Sequence, residues 1–288
     1  MTGDHLLMLY DMEYVKGGCV GEPPPGTATD DTLGTYSSNY AIAIVGLAAA
    51  VAMLLNRRAS TSYKTLSINF FAWTAFGYGV AGVLHQVLHE DEEHAEHAAW
   101  WKTSYVATLL GILALNTLAN QLLYVKVSTN SVFQLIITAI AVLFGGGIIL
   151  SNIFGSASLI LTGVYSAVVL LYVVVVFAVW CEWPKVLGLA LMIIGMIVQV
   201  ALTPMCGDAA YPDCFKDCPL PAPYFNHNAL FHWLFAIGLL ILGIALNTNP
   251  ELASSAEVTT NGFEQIKSLV QVENKEECSG TRSILSCC

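Results

Sequence analysis

The chain has 288 residues, of which 56% are hydrophobic and only 11% are charged, and its formal net charge is −10. Soluble domains carry about 25% charged residues, so this composition excludes a soluble globular protein and indicates a membrane protein. The acidic balance argues against a basic face that would bind nucleic acid.

Seven apolar runs are long enough to cross a bilayer, which takes about 20 apolar residues each. They lie at 39–56, 66–89, 102–125, 131–151, 156–180, 185–203 and 228–247. Lipid offers no hydrogen-bond partners, and unbroken aliphatic runs lack the alternation of a barrel strand, so the runs are predicted to be helices. We therefore expect an all-α seven-transmembrane-helix bundle over residues 39–248. An exoplasmic segment at 1–38 would precede it, and a flexible tail at 249–288 would follow.

The distribution of basic residues predicts the orientation of this bundle. One side of the membrane would collect most of them: Arg57, Arg58, Lys64, Lys126, Lys185, Lys267, Lys275 and Arg282. The opposite side would hold only Lys16, Lys102 and Lys216. The positive-inside rule then places the N-terminus outside and the C-terminus in the cytosol. The protein is expected in the endomembrane system or the plasma membrane, with its oligomeric state undetermined by sequence.

The cysteines on the predicted outer side form an even set. Cys19, Cys206, Cys214 and Cys218 all fall there, where an oxidising compartment permits disulfides. Four cysteines allow three pairings, and the sequence does not choose among them.

Two groups of small or polar residues within the spans are predicted to join helices. Asn116, Asn120 and Gln121 in the third span are expected to hydrogen-bond across the bundle. The run Gly145–Gly147 in the fourth span indicates close packing or a bend.

Histidines concentrate at the predicted outer face. His85 and His89 end the second span, while His227 and His232 open the seventh, so the topology brings them to one end of the bundle. Imidazole is a common zinc ligand, and a catalytic zinc keeps three protein ligands with water at the fourth position. We expect His85, His227 and His232 to bind zinc.

The spacing of the last two histidines adds a condition. Five residues turn an ideal helix through about 500°, so His227 and His232 would share a face only if His227 preceded the helix, with Asn226 or Asn228 as its N-cap. The alternative is that His89 replaces His227 as the ligand. A carboxylate is also needed for proton transfer, and the acidic loop supplies the candidates Glu92, Glu93 and Glu96.

At these positions the sequence resembles the CREST superfamily of seven-helix membrane proteins, which includes alkaline ceramidases and the progestin and adiponectin receptors. The resemblance rests on His85 in Gly82-Val83-Leu84-His85 and on the string Phe225-Asn226-His227-Asn228-Ala229-Leu230-Phe231-His232, together with Trp101-Lys102-Thr103 and Gln199. It implies a zinc-dependent hydrolase of a lipid amide or ester. The three histidines would bind the metal, and Glu96 is the nearest match to the expected acid.

Two other functions stay open. The resemblance places a serine one turn before His85, where this chain has Ala81, and this keeps a non-catalytic receptor or structural membrane subunit as the alternative. Its histidines would then pack helices or hold a structural metal. A metal transporter is the third hypothesis, suggested by the acidic, histidine-rich loop. It ranks last because the middles of spans one, four, five and six carry no charged residue.

Overall fold

The computed structural model describes residues 33–87, 95–127, 131–155, 159–206, 218–221 and 225–248. Within these ranges the chain forms seven α-helices and no strand. They are α1 (Leu33–Leu55), α2 (Thr61–Val87), α3 (Ala95–Val127), α4 (Ser131–Phe154), α5 (Leu159–Val179), α6 (Trp183–Cys206) and α7 (His227–Thr248). Each helix is long and apolar enough to cross a membrane. The predicted all-α seven-helix membrane bundle is confirmed.

Helix contacts arrange six of the seven helices in a closed ring. The order around the ring is α1, α2, α3, α5, α6 and α7, with α7 returning to α1. The remaining helix, α4, packs mainly against α3 from outside, and only 11% of its spanning segment is buried. Aliphatic and aromatic side chains such as Phe70, Leu115, Phe177 and Leu239 fill the interior of the ring.

Small residues and amides bring the helices together. A Cβ at Gly188 in α6 would lie 2.7 Å from the Gly238 carbonyl oxygen of α7, so these backbones touch. Asn120 in α3 donates to Thr138 Oγ1 in α4 at 3.1 Å and accepts a hydrogen bond from the Tyr172 hydroxyl in α5. The prediction that the amides of the third span join helices is confirmed for Asn120.

The start of the first helix differs from the sequence-based boundary. α1 begins at Leu33 rather than at residue 39, so residues 33–38 belong to the bundle and not to the preceding segment. Thr35 and Ser38 are fully buried there. Hydroxyl side chains are less apolar than the alanines that follow, and this placed the predicted boundary too late.

The turn between α5 and α6 is a Schellman motif with an unusual residue in it. The Cys181 amide donates to the Ala178 carbonyl at 2.9 Å, and the Glu182 amide donates to the Phe177 carbonyl at 3.0 Å. Cys181 itself has a φ of 57°, the left-handed conformation that glycine normally supplies at this position. The motif delivers Glu182 directly to the start of α6.

A disulfide closes the outer end of α6. Cys206, the last residue of that helix, is bonded to Cys218, which confirms that this pair of the four outer cysteines is oxidised. Cys19 and Cys214 lie outside the described residues. A disulfide at the end of the bundle opposite most basic side chains agrees with the orientation from the positive-inside rule.

Candidate functional site

Three histidines are buried at the outer end of the bundle, where α1 and α7 begin and α2 ends. Their exposed fractions are 8% for His85, 2% for His227 and 5% for His232. His232 interacts electrostatically with both of the others, and we refer to these three side chains as the histidine cluster. The structure thus brings the three predicted ligands to the same end of the molecule. His89 lies outside the described residues.

The start of α7 is set by Asn226. Its Oδ1 accepts a hydrogen bond from the Ala229 amide at 2.9 Å, the contact that defines an N-cap side chain. The same oxygen accepts from the Thr35 hydroxyl at 3.1 Å, which ties the start of α7 to the start of α1. Asn226 is therefore the N-cap, one of the two candidates that the sequence offered.

This cap corrects the expected position of His227. His227 is the first residue of α7 and does not precede it. It is nevertheless buried, because α1 covers the beginning of α7 through the contact between Thr35 and Asn226. Two helical residues five apart point in directions about 140° apart, so His227 and His232 line different sides of the helix.

A chain of hydrogen bonds holds the ring of His232. The Ser38 hydroxyl donates to the Thr35 carbonyl oxygen at 2.8 Å, and Ser38 Oγ lies 3.3 Å from His232 Nδ1. When the one proton of the hydroxyl points to Thr35, Ser38 Oγ can accept a hydrogen bond from Nδ1–H but cannot donate one. In that arrangement the neutral imidazole carries its proton on Nδ1, and Nε2 keeps a lone pair.

Aromatic rings enclose this cluster. The Tyr78 ring meets the His232 ring edge to face, with centroids 5.5 Å apart. The Trp101 ring meets the His85 ring in the same way at 5.1 Å. These contacts limit the rotation of both imidazoles and keep bulk water away from them.

The imidazole side chains of this cluster are of a type that binds metal ions, but their arrangement does not form a complete set of ligands. Imidazole suits zinc, and a ring whose Nδ1 is held by a hydrogen bond presents Nε2 for coordination. Over the described part of the chain, no three His, Cys, Asp or Glu side chains converge closely enough to hold an ion.

The expected carboxylate is only partly placed. Glu96 lies in the first turn of α3, at the same end of the bundle, but its side chain is outside the described part of the structure. Glu92 and Glu93 lie outside the described residues altogether. The role of Glu96 in proton transfer stays a prediction.

Sequence reasoning missed the contribution of α1. Thr35 and Ser38 hold both Asn226 and His232, yet they fell in the segment predicted to precede the bundle. The signal was present as a polar stretch, Thr35-Tyr36-Ser37-Ser38-Asn39, directly before the alanine-rich run. Hydroxyl and amide groups at a span entrance are buried only when another helix offers partners, and no sequence pattern identifies that partner.

The chain matches the model of a family of unknown function (DUF6962) over residues 35–249. This match includes nearly all of the described bundle, so the chain belongs to that family. No curated protein and no solved structure has a significant match to the chain.

Proposed function

We propose that this protein is a zinc-dependent intramembrane hydrolase that cleaves a lipid amide or ester at the outer end of its bundle. The observation that carries the proposal is the hydrogen-bond chain from His232 through Ser38 to Thr35. A metal-binding histidine usually donates its second ring nitrogen to an oxygen acceptor, and this chain supplies that acceptor. His85 would be a second imidazole, and the third of the set that a catalytic zinc uses would come from His227 or from the alternative, His89.

Each side chain at this end would have a separate role in the proposed hydrolysis. A zinc ion bound here would lower the pKa of its water to about 7 and polarise the acyl carbonyl of the lipid. Hydrolysis adds water across the acyl bond, so a fatty acid and an amine or alcohol are released. The leaving group needs a proton, and Glu96 at the start of α3 is the candidate to carry it. Ser38 and Thr35 fix the ring state of His232, and the Tyr78 ring excludes water from it.

A second function is favoured by a separate observation. The three histidines do not converge within the described structure, and His232 and His85 already have hydrogen-bond or aromatic neighbours. This is the arrangement expected if the histidines pack helices in a non-catalytic receptor or structural membrane subunit. The two functions differ in metal content and in turnover.

Metal analysis of the full-length protein, purified in detergent, tests the proposal first. We expect about one zinc ion per chain, lost in His232→Ala and retained in Asn120→Ala, which removes an amide that joins helices elsewhere in the bundle. The second measurement is mass spectrometry of fatty acids released from mixed lipid amides and esters. Release by the wild-type protein and its loss in His232→Ala would support the hydrolase.

Two results would decide against it. Protein without bound transition metal, with His232→Ala folded and unchanged in stability, would refute the metal site. Zinc at one per chain without release of any fatty acid would instead favour the non-catalytic function.

A further inference from the structure

A shallow groove with polar and apolar walls opens at the cytosolic end of the bundle, between the ends of α1 and α7. Its volume is about 530 Å³, and its walls come from Ala52, Leu55, Asn56, Arg57, Arg58, Asn247 and Thr248. It lies at the opposite end of α1 and α7 from the histidine cluster. Nothing in the proposed hydrolysis uses it.

Asn56 shapes this groove. Its Nδ2 donates to both the carbonyl oxygen and the side-chain Oδ1 of Asn247, at 2.9 and 2.7 Å, and so fastens the end of α1 to the end of α7. Its Oδ1 accepts a hydrogen bond from the Arg58 amide at 2.9 Å. The Asn56 side chain thus fixes the distance between the two walls of the groove. It also holds the backbone that carries the two arginines.

The groove carries an unbalanced positive charge. Arg57 and Arg58 are both exposed, and in the part of the chain that the structure describes neither has a carboxylate partner. Guanidinium groups present planar pairs of N–H donors that match phosphate oxygens. The ligand that suits these two side chains is therefore an anion with several oxygen atoms.

The helix ends at this groove do not cancel its charge. A helix C-terminus carries a partial negative charge on its free carbonyl oxygens, which would repel an anion. Two of these oxygens already accept hydrogen bonds: Lys64 Nζ donates to the Leu54 carbonyl at 3.4 Å, and the Tyr63 hydroxyl donates to the Leu246 carbonyl at 3.2 Å. The Asn247 carbonyl is bonded to Asn56.

The apolar side of the groove indicates where the anion comes from. Leu55 lines the groove and is 72% exposed, and the adjacent Leu54 is 60% exposed, at the end of a helix that spans the membrane. Exposed leucines at that level contact acyl chains, while the arginines lie at the level of the headgroups. A ligand that joins a phosphate to acyl chains satisfies both surfaces.

We propose that this groove binds the phosphate headgroup of an anionic phospholipid from the cytosolic leaflet. Basic pockets between spanning helices on this side of a membrane bind such headgroups. Arg57 and Arg58 would contact the phosphate, and Leu55 would contact the acyl chains. The groove is occupied independently of the outer histidine cluster.

Binding of lipid to the full-length protein tests the proposal. The affinity of fluorescent phosphatidylglycerol and phosphatidylcholine would be measured for the wild type, Arg57→Gln, Arg58→Gln and Lys102→Gln. Lys102→Gln is the matched control, because it removes one positive charge, on a partly exposed side chain, at the outer end of the bundle. We expect preference for phosphatidylglycerol, weakened about fivefold by each arginine substitution and unchanged in the control.

Three outcomes would overturn the proposal. Equal binding of phosphatidylglycerol by the wild type and the arginine variants would exclude the groove as the site. Competition by soluble glycerol phosphate as strong as by the lipid would show that a free phosphate compound is the ligand. Failure of the wild type to prefer the anionic lipid would also overturn the proposal. If Glu251→Gln then bound phosphatidylglycerol more tightly than the wild type, the chain after Thr248 would be identified as the occupant of the groove.

Discussion

Removing the carboxylate of Glu182 is expected to destabilise the whole bundle. Lys185 in the first turn of α6 is fully buried, with 0% of its side chain exposed, and Glu182 is 14% exposed. Their charged groups lie 3.2 Å apart, and the ammonium also lies 5.4 Å from the centre of the Phe177 ring. In Glu182→Ala the ammonium would lose its ion-pair partner and stay buried.

The size of the effect follows from this geometry. Two unit charges 3.2 Å apart attract each other by about 5 kcal/mol at an effective dielectric constant of about 20. The partial exposure of Glu182 reduces this figure, whereas the burial of Lys185 keeps the cost of an unpaired ammonium high. Breaking a buried ion pair at one partner costs about 3–5 kcal/mol, so we expect Glu182→Ala to lower the free energy of unfolding by about 3 kcal/mol.

Denaturant unfolding in mixed micelles, followed by tryptophan fluorescence, measures this loss. The matched control is the double variant Glu182→Ala, Lys185→Met, in which an apolar chain of similar length replaces the buried ammonium. Because no charge is then left unpaired, most of the stability should return, to within about 1 kcal/mol of the wild type. A single variant as stable as the wild type, or a double variant as unstable as the single one, would refute the argument.

Three further predictions test other contacts. Gly188→Ala places a methyl group against the backbone of α7 and should lower the free energy of unfolding by several kcal/mol, or prevent folding. In Gly146→Ala the new methyl group meets no atom within 4 Å, so the stability should be unchanged or slightly higher. Thermal unfolding of the two variants compares them directly. Cys181→Gly should raise the free energy of unfolding by about 1 kcal/mol, because glycine adopts the left-handed conformation without strain, and an unchanged unfolding midpoint would contradict this. Ser38→Ala should weaken zinc binding by about 10-fold to 100-fold without abolishing it, because it removes the acceptor for His232 Nδ1. A competition titration with a chelator measures the affinity of the variant for zinc. An affinity equal to that of the wild type would contradict a proton on Nδ1.

The helices were predictable because their signal is local. Each span needs only its own composition, and all seven were found in the structure near the predicted positions. Packing was less predictable, as the glycines of α4 show. Gly145 would bring a Cβ to 2.9 Å from Leu113, whereas Gly146 and Gly147 face open space. A run of three small residues shows that a helix can pack closely, but the face that does so depends on its neighbours.

The position of the three histidines at one end of the bundle was predictable, but the contacts that hold them were not. Topology alone brought His85 to the same end as His227 and His232, and their burial agrees with a common cluster. The contact between the Ser38 hydroxyl and His232 Nδ1 joins residues that are 194 positions apart in the chain. Such a contact leaves no local pattern in the sequence, because a serine before an apolar run is equally typical of the end of a loop and of the first turn of a helix.

The buried polar groups at the two ends of the bundle are stabilised by different kinds of interaction. At the outer end, neutral groups satisfy each other through hydrogen bonds that run from His232 to Ser38 and on to Thr35. At the cytosolic end, a buried charge is balanced by an ion pair between Lys185 and Glu182. His232 and Lys185 therefore each depend on a partner from outside their own helix. Ser38 in α1 contacts His232, and Glu182 in the turn before α6 pairs with Lys185.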